Sequence, residues 1–158
     1  MKQELFHSLD DESLRLAVLA PATRQVRAQS PAVKAQVYAQ MTPGQRALFM
    51  FQVLFEHSRN STEEYYKWCA TLMEEKTWGE VKGALKHLRD EAMLQFLEET
   101  EEFLLVWKQA GVVEDEAFLA EAERRNARYH ELAARTIERI GEYVRSHPEE
   151  FVQWEEEA

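Results

Sequence analysis

TWGEVKGALKHLRDEAMLQFLEETEEFLLVWKQAG, residues 77–111 of the chain, carries apolar residues at intervals of three and four, which is the spacing of one face of an α-helix. Thr77 followed by Glu80 has the pattern of a capping box at the start of a helix. Gly111 is the residue type that most often ends one. The stretch therefore predicts one long helix over 77–110, whose buried face carries Val81, Leu85, Leu88, Ala92, Phe96, Phe103 and Trp107.

The segments on either side repeat this spacing. We predict a long helix over 43–76 and another over 115–146. The connections between long helices are only a few residues long, so consecutive long helices should be antiparallel neighbours. The polar run 60–64 interrupts the apolar pattern of the first long segment, and the sequence leaves open whether one helix or two form there.

Shorter helices are predicted over 1–42, one of them around 10–20 and stopped by Pro21, and a tail helix over 148–156. With five glycines, four prolines and no alternation of β-branched residues, the sequence predicts no strand. We therefore expect a single all-α domain over 1–158, a mostly antiparallel helical bundle of three long helices and short N-terminal helices.

Charge and composition limit the classes of partner. The 158 residues include 29 acidic and 19 basic side chains, a formal net charge of −10, which disfavours binding to nucleic acid. No run of 18 apolar residues exists, so no membrane association is predicted. The single cysteine, Cys69, cannot form a disulfide within the chain, which is typical of a cytoplasmic protein.

Two polar residues occupy core positions of the long helices. Glu99 lies on the apolar stripe of the second long helix, and Asn126 lies on that of the third. Either side chain would need a partner, because burying it unsatisfied costs about 1–3 kcal/mol. The rise per residue of two straight helices places Glu99 level with Asn126, and Glu102 level with Glu123.

The same arithmetic places His57 and His130 at this height of the bundle. Three interpretations stay open for the group. It can be a buried polar network that fixes helix register. It can be a Mg²⁺ or Mn²⁺ site made of the three carboxylates and the Asn126 amide. It can also be a transition-metal site that uses the two histidines. The first interpretation, with no metal and no catalytic residue, is our first choice.

The acidic segment also resembles part of a known enzyme family. Residues 98–102 read EETEE, which resembles the Glu-Glu-x-x-Glu element of the all-α nucleoside triphosphate pyrophosphohydrolases of the MazG and dimeric dUTPase type. Residues 123–126, ERRN, stand where that family has Glu-x-x-Asp, with asparagine in place of aspartate. The resemblance covers residues 98–126.

This resemblance implies a magnesium-dependent enzyme. Its Mg²⁺ would be held by Glu99, Glu102 and Glu123, with Asn126 completing the site, and the metal would help a water attack a phosphoanhydride. It further implies that a basic side chain, such as Arg59 or Arg46, contacts the phosphates. We keep this as the alternative function.

A second candidate surface lies in the first long segment. If the segment is helical throughout, one face is shared by His57, Ser61, Glu64 or Tyr65, and Trp68. This face could line a ligand pocket together with His130. The other interpretation is a local break in the helix with capping residues.

The leading functional hypothesis is a non-enzymatic binding or regulatory module that acts through protein–protein contacts, with a partner protein or a second copy. It depends on aromatic residues in excess of what a three-helix core can hide. These are Tyr65, Tyr66, Trp68, Trp78, Trp107 and Trp154. Motifs for a P-loop, a dinucleotide site or a nucleophilic Ser or Cys do not occur, and Cys69 fits a small core residue.

Overall fold

The chain is all-α, as its sequence predicts. The computed structural model describes residues 1–59, 64–111 and 115–156, with only the backbone of Glu64. Within these ranges there is no strand, and one turn of 3-10 helix occurs at Pro148–Glu150. The α-helices are α1 (Gln3–Ser8), α2 (Asp11–Val26), α3 (Pro31–Gln40), α4 (Pro43–Glu56), α5 (Glu64–Glu74), α6 (Trp78–His87), α7 (Glu91–Ala110) and α8 (Glu116–Ser146).

The prediction of one long helix over 77–110 is wrong, and the choice left open for 43–76 is resolved as two helices. The segment 43–76 is divided into α4 and α5, and the segment 77–110 into α6 and α7. The second division occurs at Arg89, whose φ is +55°. The Arg89 N–H donates to the Lys86 carbonyl at 3.1 Å and the Asp90 N–H to the Leu85 carbonyl at 2.9 Å, the two hydrogen bonds of a Schellman motif. Only α8 matches its predicted long helix closely.

Three smaller predictions also differ from the structure. Helix α2 continues past Pro21, which removes one helical hydrogen bond without ending the helix. The predicted tail helix over 148–156 is reduced to the 3-10 turn, and residues 152–156 are not helical. Thr77 occupies the N-cap of α6, but its side chain makes no capping hydrogen bond.

Helices α3 and α4 each begin at a proline that follows a hydroxyl N-cap. The Ser30 hydroxyl accepts from the Val33 N–H at 3.3 Å at the start of α3. Thr42 and Gln45 form a complete capping box at the start of α4. Both helices begin with proline at their first position, where the missing N–H costs nothing.

The main core lies where α2, α4, α5, α6, α7 and α8 meet. Helix α6 packs on α4 and α7, while α2 and α5 both pack along α8. A smaller apolar cluster lies beside the main core, where α5 and the second half of α7 meet the first half of α8. Its buried members are Tyr66, Phe103, Phe118 and Ala122. None of the helices in the described ranges is long and apolar enough to cross a membrane.

Candidate functional site

The predicted metal-binding carboxylates do not form a metal site. Glu99, Glu102 and Glu123 are all exposed. In the described part of the chain, no three His, Cys, Asp or Glu side chains lie close enough together to hold a metal ion. The reason is the helix phase, because Thr100 rather than Glu99 takes the inward position. The Thr100 hydroxyl donates to the Phe96 carbonyl at 2.9 Å.

Asn126 is buried, as its position on the apolar stripe predicts, with 1% of its surface exposed. The predicted pairing with Glu99 is wrong, because the Glu99 carboxylate accepts a hydrogen bond from Gln95 at 3.2 Å instead. Both the Oδ1 and Nδ2 atoms of Asn126 are buried, and neither has a hydrogen-bond partner among the described residues. An unsatisfied buried amide of this kind destabilises a fold by about 1–3 kcal/mol.

One contact forms within the predicted ligand cluster. The exposed His57 ring lies 4.2 Å from the Trp68 ring, centroid to centroid, and the Trp68 indole N–H donates to the Val53 carbonyl at 2.8 Å. The half-buried His130 packs beside its neighbour Tyr129. Ser61 and the Glu64 side chain lie outside what the structure describes, so the cluster as predicted is not assembled from the described residues.

The two arginines assigned to phosphate contact have other partners. The Arg46 guanidinium donates to the carbonyls of Tyr38 and Ala39 and so caps the end of α3. Arg59 forms an ion pair with Glu56 at 3.3 Å.

The predicted excess of surface aromatics is mostly absent. Tyr65, Tyr66 and Trp78 are buried, so the expectation that they lie at the surface is wrong. Trp68 and Trp107 are half-buried, and Trp154 is exposed. Two exposed aliphatic side chains, Leu105 and Leu119, line clefts beside the smaller cluster.

A buried polar network occupies the centre of the bundle. The Ser58 hydroxyl donates to the Leu54 carbonyl at 2.6 Å, which leaves its oxygen to accept from the Tyr129 hydroxyl at 2.6 Å. The Tyr65 hydroxyl pairs with Thr100 at 2.8 Å, and the Tyr65 and Tyr129 rings stack with centroids 4.2 Å apart. Burial raises the pKa of both tyrosines. Each hydroxyl group of this network has a hydrogen-bond partner. The network links α5, α7, α8 and the end of α4 and so fixes their register.

Two further buried side chains are structural. Arg15 is fully buried, forms an ion pair with Glu12 at 2.7 Å, and lies over the Phe55 ring. The sequence analysis missed it, although Arg15 and Leu19 share the i, i+4 spacing of a buried face. Cys69 is buried as predicted, and burial raises the pKa of its thiol, which makes it a poor nucleophile.

Two clefts adjoin the smaller apolar cluster, and Tyr66 lines both. The first, the α5–α7 cleft, has a volume of about 530 Å³. Its walls come from α5, α7 and the start of α8, namely Tyr66, Lys67, Ala70, Met73, Glu74, Leu104, Leu105, Trp107, Lys108 and Phe118. The sequence analysis missed it, since Leu105 is outside the predicted stripe of α7.

The second, the α5–α8 cleft, has a volume of about 380 Å³. It is lined by Tyr66, Glu116, Leu119, Ala120, Ala122, Glu123 and Asn126. Asn126 therefore lines a cleft that is open to solvent, although its Oδ1 and Nδ2 atoms are themselves buried. We call the surface formed by the two clefts the recognition face.

A packed aromatic group forms part of the α5–α7 cleft, which Tyr66, Trp107 and Phe118 line. The Phe118 ring stacks on Phe103 at 5.3 Å and meets Tyr66 and Trp107 edge to face at 5.3 and 4.9 Å. The Arg125 guanidinium lies 4.6 Å from the centre of the Phe103 ring. These contacts give the clefts a rigid base, because aromatic pairs contribute about 0.5–1.5 kcal/mol each beyond the burial of their area.

Comparison of the chain with models of protein families, with curated proteins and with solved structures finds no match. The geometry of the recognition face is therefore the basis of the functional argument.

Proposed function

We propose that the protein is a non-enzymatic cytoplasmic binding module that holds an apolar segment of a partner protein on its recognition face. The observation that carries the proposal is the exposure of two leucines, one beside each cleft. Leu105 is 43% exposed and Leu119 is 42% exposed. Leu105 lines the α5–α7 cleft together with Tyr66, Trp107 and Phe118, and Leu119 lines the α5–α8 cleft together with Tyr66. Apolar centres of this kind supply most of the energy of protein–protein contacts.

Charge indicates the chemistry of the segment. Lys67 and Lys108 line the α5–α7 cleft with Glu74, whereas Glu116 and Glu123 line the α5–α8 cleft. A segment that complements both clefts has apolar residues in its middle, a basic residue at the α5–α8 end and an acidic residue at the other. Charge complementarity of this type fixes the direction in which a segment binds.

Selection of displayed peptides on the full chain tests the proposal. Peptides of 12 random residues are selected on the immobilised protein, and the affinity of the strongest binder is measured for Leu105→Glu and for a matched control, Leu16→Glu. Leu16 is equally exposed, at 43%, but lies on α2. We expect Leu105→Glu to weaken binding at least tenfold, which corresponds to about 1.4 kcal/mol, and Leu16→Glu to leave it unchanged.

Equal affinity of the selected peptides for both variants would contradict the proposal. The oligomeric state of the chain is measured in parallel by light scattering. A dimer that Leu105→Glu dissociates and Leu16→Glu does not would identify a second copy of the chain, rather than another protein, as the occupant.

A further inference from the structure

A third cleft, larger than the other two, lies between α2, α3 and residues 149–155. We call it the α2–α3 cleft; its volume is about 810 Å³, and no residue that lines the recognition face lines it. Much of its wall is apolar and comes from Ala17, Val18, Ala22, Val37, Met41 and Phe151. A cleft of this volume and lining has the character of a small-molecule site.

The wall that α2 contributes contains a main-chain carbonyl without its usual helical donor. Pro21 lies inside α2 and lines the cleft. Because proline has no N–H, the Ala17 carbonyl, four residues earlier, lacks the hydrogen bond that residue 21 would otherwise donate. Ala17 lines the same cleft. A ligand with an N–H group can therefore supply a donor at this wall.

The side chains that line the cleft favour a cation. Glu149, Glu150 and Glu155 line it, and no lysine or arginine among the described residues does so. Arg24 of α2 and Lys34 of α3 are exposed and lie outside the lining. A cleft with one sign of charge concentrates ligands of the opposite sign.

The three carboxylates differ in their partners. Glu155 lies 3.5 Å from the Met1 amino group, which neutralises it. Glu150 accepts a hydrogen bond from the Tyr143 hydroxyl at 2.7 Å but has no cationic partner in the described part of the chain. Glu149 is exposed and has no ion pair there either. The lining therefore keeps a net negative charge.

We propose that the α2–α3 cleft binds a small aliphatic primary amine in its protonated form. The ammonium group donates to the Ala17 carbonyl, the aliphatic chain lies on the apolar wall, and the charges of Glu149 and Glu150 favour the cation. Trp154 lines the cleft and is 38% exposed, and an indole ring attracts cations. This site is separate from the recognition face and does not rest on the proposed function.

Three probes with the same six-carbon chain test the proposal. Hexylammonium has both the charge and the N–H donors, hexyltrimethylammonium has the charge alone, and 1-hexanol has a donor without charge. Each is titrated at pH 7 into the ¹⁵N-labelled full chain, and the indole N–H signal of Trp154 is followed by NMR. We expect hexylammonium to bind at least tenfold more tightly than either of the others. Equal affinity for hexylammonium and hexyltrimethylammonium would overturn the inference.

Pro21→Ala tests the role of the carbonyl. Alanine restores an N–H that occupies the Ala17 carbonyl, so the affinity for hexylammonium should fall about tenfold while the Tm rises. A variant with a higher Tm cannot lose binding by unfolding. Pro31→Ala is the matched control, because Pro31 is at the first position of α3, where no helical hydrogen bond is missing, and it should leave binding unchanged. Unchanged affinity in Pro21→Ala would contradict the inference.

Glu149→Gln tests the contribution of charge. It should weaken hexylammonium about threefold and leave 1-hexanol unaffected, whereas Glu98→Gln, an exposed carboxylate on α7, should change neither. An equal effect of the two variants would mean that only the net charge of the protein attracts the amine, which would count against a site in this cleft.

A last probe separates a free amine from a lysine of another protein. Nα-acetyl-lysine methylamide carries the same ammonium group on an aliphatic side chain, and we expect it to bind more weakly than hexylammonium. Binding at least as tight would assign the cleft to a lysine side chain and overturn the assignment of a free amine. Leu105→Glu should leave hexylammonium binding unchanged, so the result is independent of the peptide selection.

Discussion

At the scale of single residues, the two buried tyrosines contribute to how the stability of the protein responds to alkali. Tyr65 and Tyr129 are fully buried, and each hydroxyl has one hydroxyl partner, Thr100 and Ser58 respectively. Desolvation raises the pKa of each above that of an unfolded chain, which is about 10. Below pH 10 both groups are neutral in both states. At higher pH the unfolded chain ionises first, so the free energy of unfolding falls.

Tyr129→Phe should reduce this pH dependence. Each buried tyrosine contributes up to about 1.4 kcal/mol per pH unit above pH 10, so the variant should lose stability less steeply than the wild type. At pH 7 it should be less stable by about 1 kcal/mol, because the hydrogen bond to Ser58 is lost. Urea unfolding at pH 7, 10 and 11 measures both effects. If the free energy of unfolding fell equally with pH in both proteins, Tyr129 would not contribute to the alkaline loss of stability.

At the scale of helices, α5 and α6 end with the same C-terminal capping motif. Lys76 and Arg89 follow the last turns with φ of +60° and +55°, and each is followed by a residue whose N–H closes a Schellman motif. These hydrogen bonds run from Thr77 to Leu72 and from Asp90 to Leu85. The left-handed conformation costs a residue with a side chain about 1–2 kcal/mol. The two ends are therefore held by tertiary packing and by the motif, against the local preference of Lys76 and Arg89.

Arg89→Gly should stabilise the protein. Glycine adopts positive φ without the steric cost, and its greater freedom in the unfolded chain offsets part of the gain, which leaves about 0.5–1 kcal/mol. Gly111→Ala is the matched control at the end of α7, where φ is +62°, and should destabilise by a similar amount. Chemical unfolding measures both. A loss of stability in Arg89→Gly would mean that contacts of the arginine side chain outweigh backbone strain.

These helix ends explain how far the sequence could predict the fold. The all-α class and α8 follow from spacing and caps that are local in the chain. The break at Arg89 could not be predicted, because the glycine that normally signals it is absent. A single helix over 77–110 uses one helical register for both α6 and α7. That register predicts Ala92 to be buried, whereas Ala92 is exposed. The stripe of α7 is instead centred on Met93, Leu97 and Thr100.

The candidate site was predictable to the same extent. Asn126 follows from the regular phase of α8, whereas Glu99 depended on the phase of α7 and was placed wrongly. The recognition face depends on which helix covers which side of the smaller cluster. No local sequence pattern indicates which helices pack around the smaller cluster. The sequence analysis therefore missed Leu105 and the two clefts.

At the scale of the whole molecule, distant parts of the chain meet at Gly44. The first turn of α4 lies against the end of α8 and the turn that follows it. A methyl group at Gly44 would lie 2.8 Å from a ring carbon of Tyr143 and 2.9 Å from one of Phe151. The Thr42 hydroxyl also donates to the Glu150 carbonyl at 3.3 Å. Close approach of the backbone, rather than backbone conformation, requires glycine here.

Gly44→Ala should therefore destabilise the protein by about 1–3 kcal/mol, because the Glu150 carboxylate and the two rings must move. Gly83→Ala is the control, since nothing lies within 4 Å of a methyl group there and alanine favours the helix by about 1 kcal/mol. Thermal unfolding of both variants measures the contrast. Equal Tm values for the two variants would mean that the end of α8 moves to accommodate the methyl group at little cost in stability.

The single cysteine allows opening of the core to be measured by thiol labelling. Cys69 lies on α5, one of the helices that line both clefts, and its thiol is fully buried. A thiol reagent can therefore reach it only when the core around it opens, and the labelling rate measures how often that happens. The labelling rate of Cys69 therefore reports on opening of the core at α5, the helix that also carries Tyr66 of the recognition face.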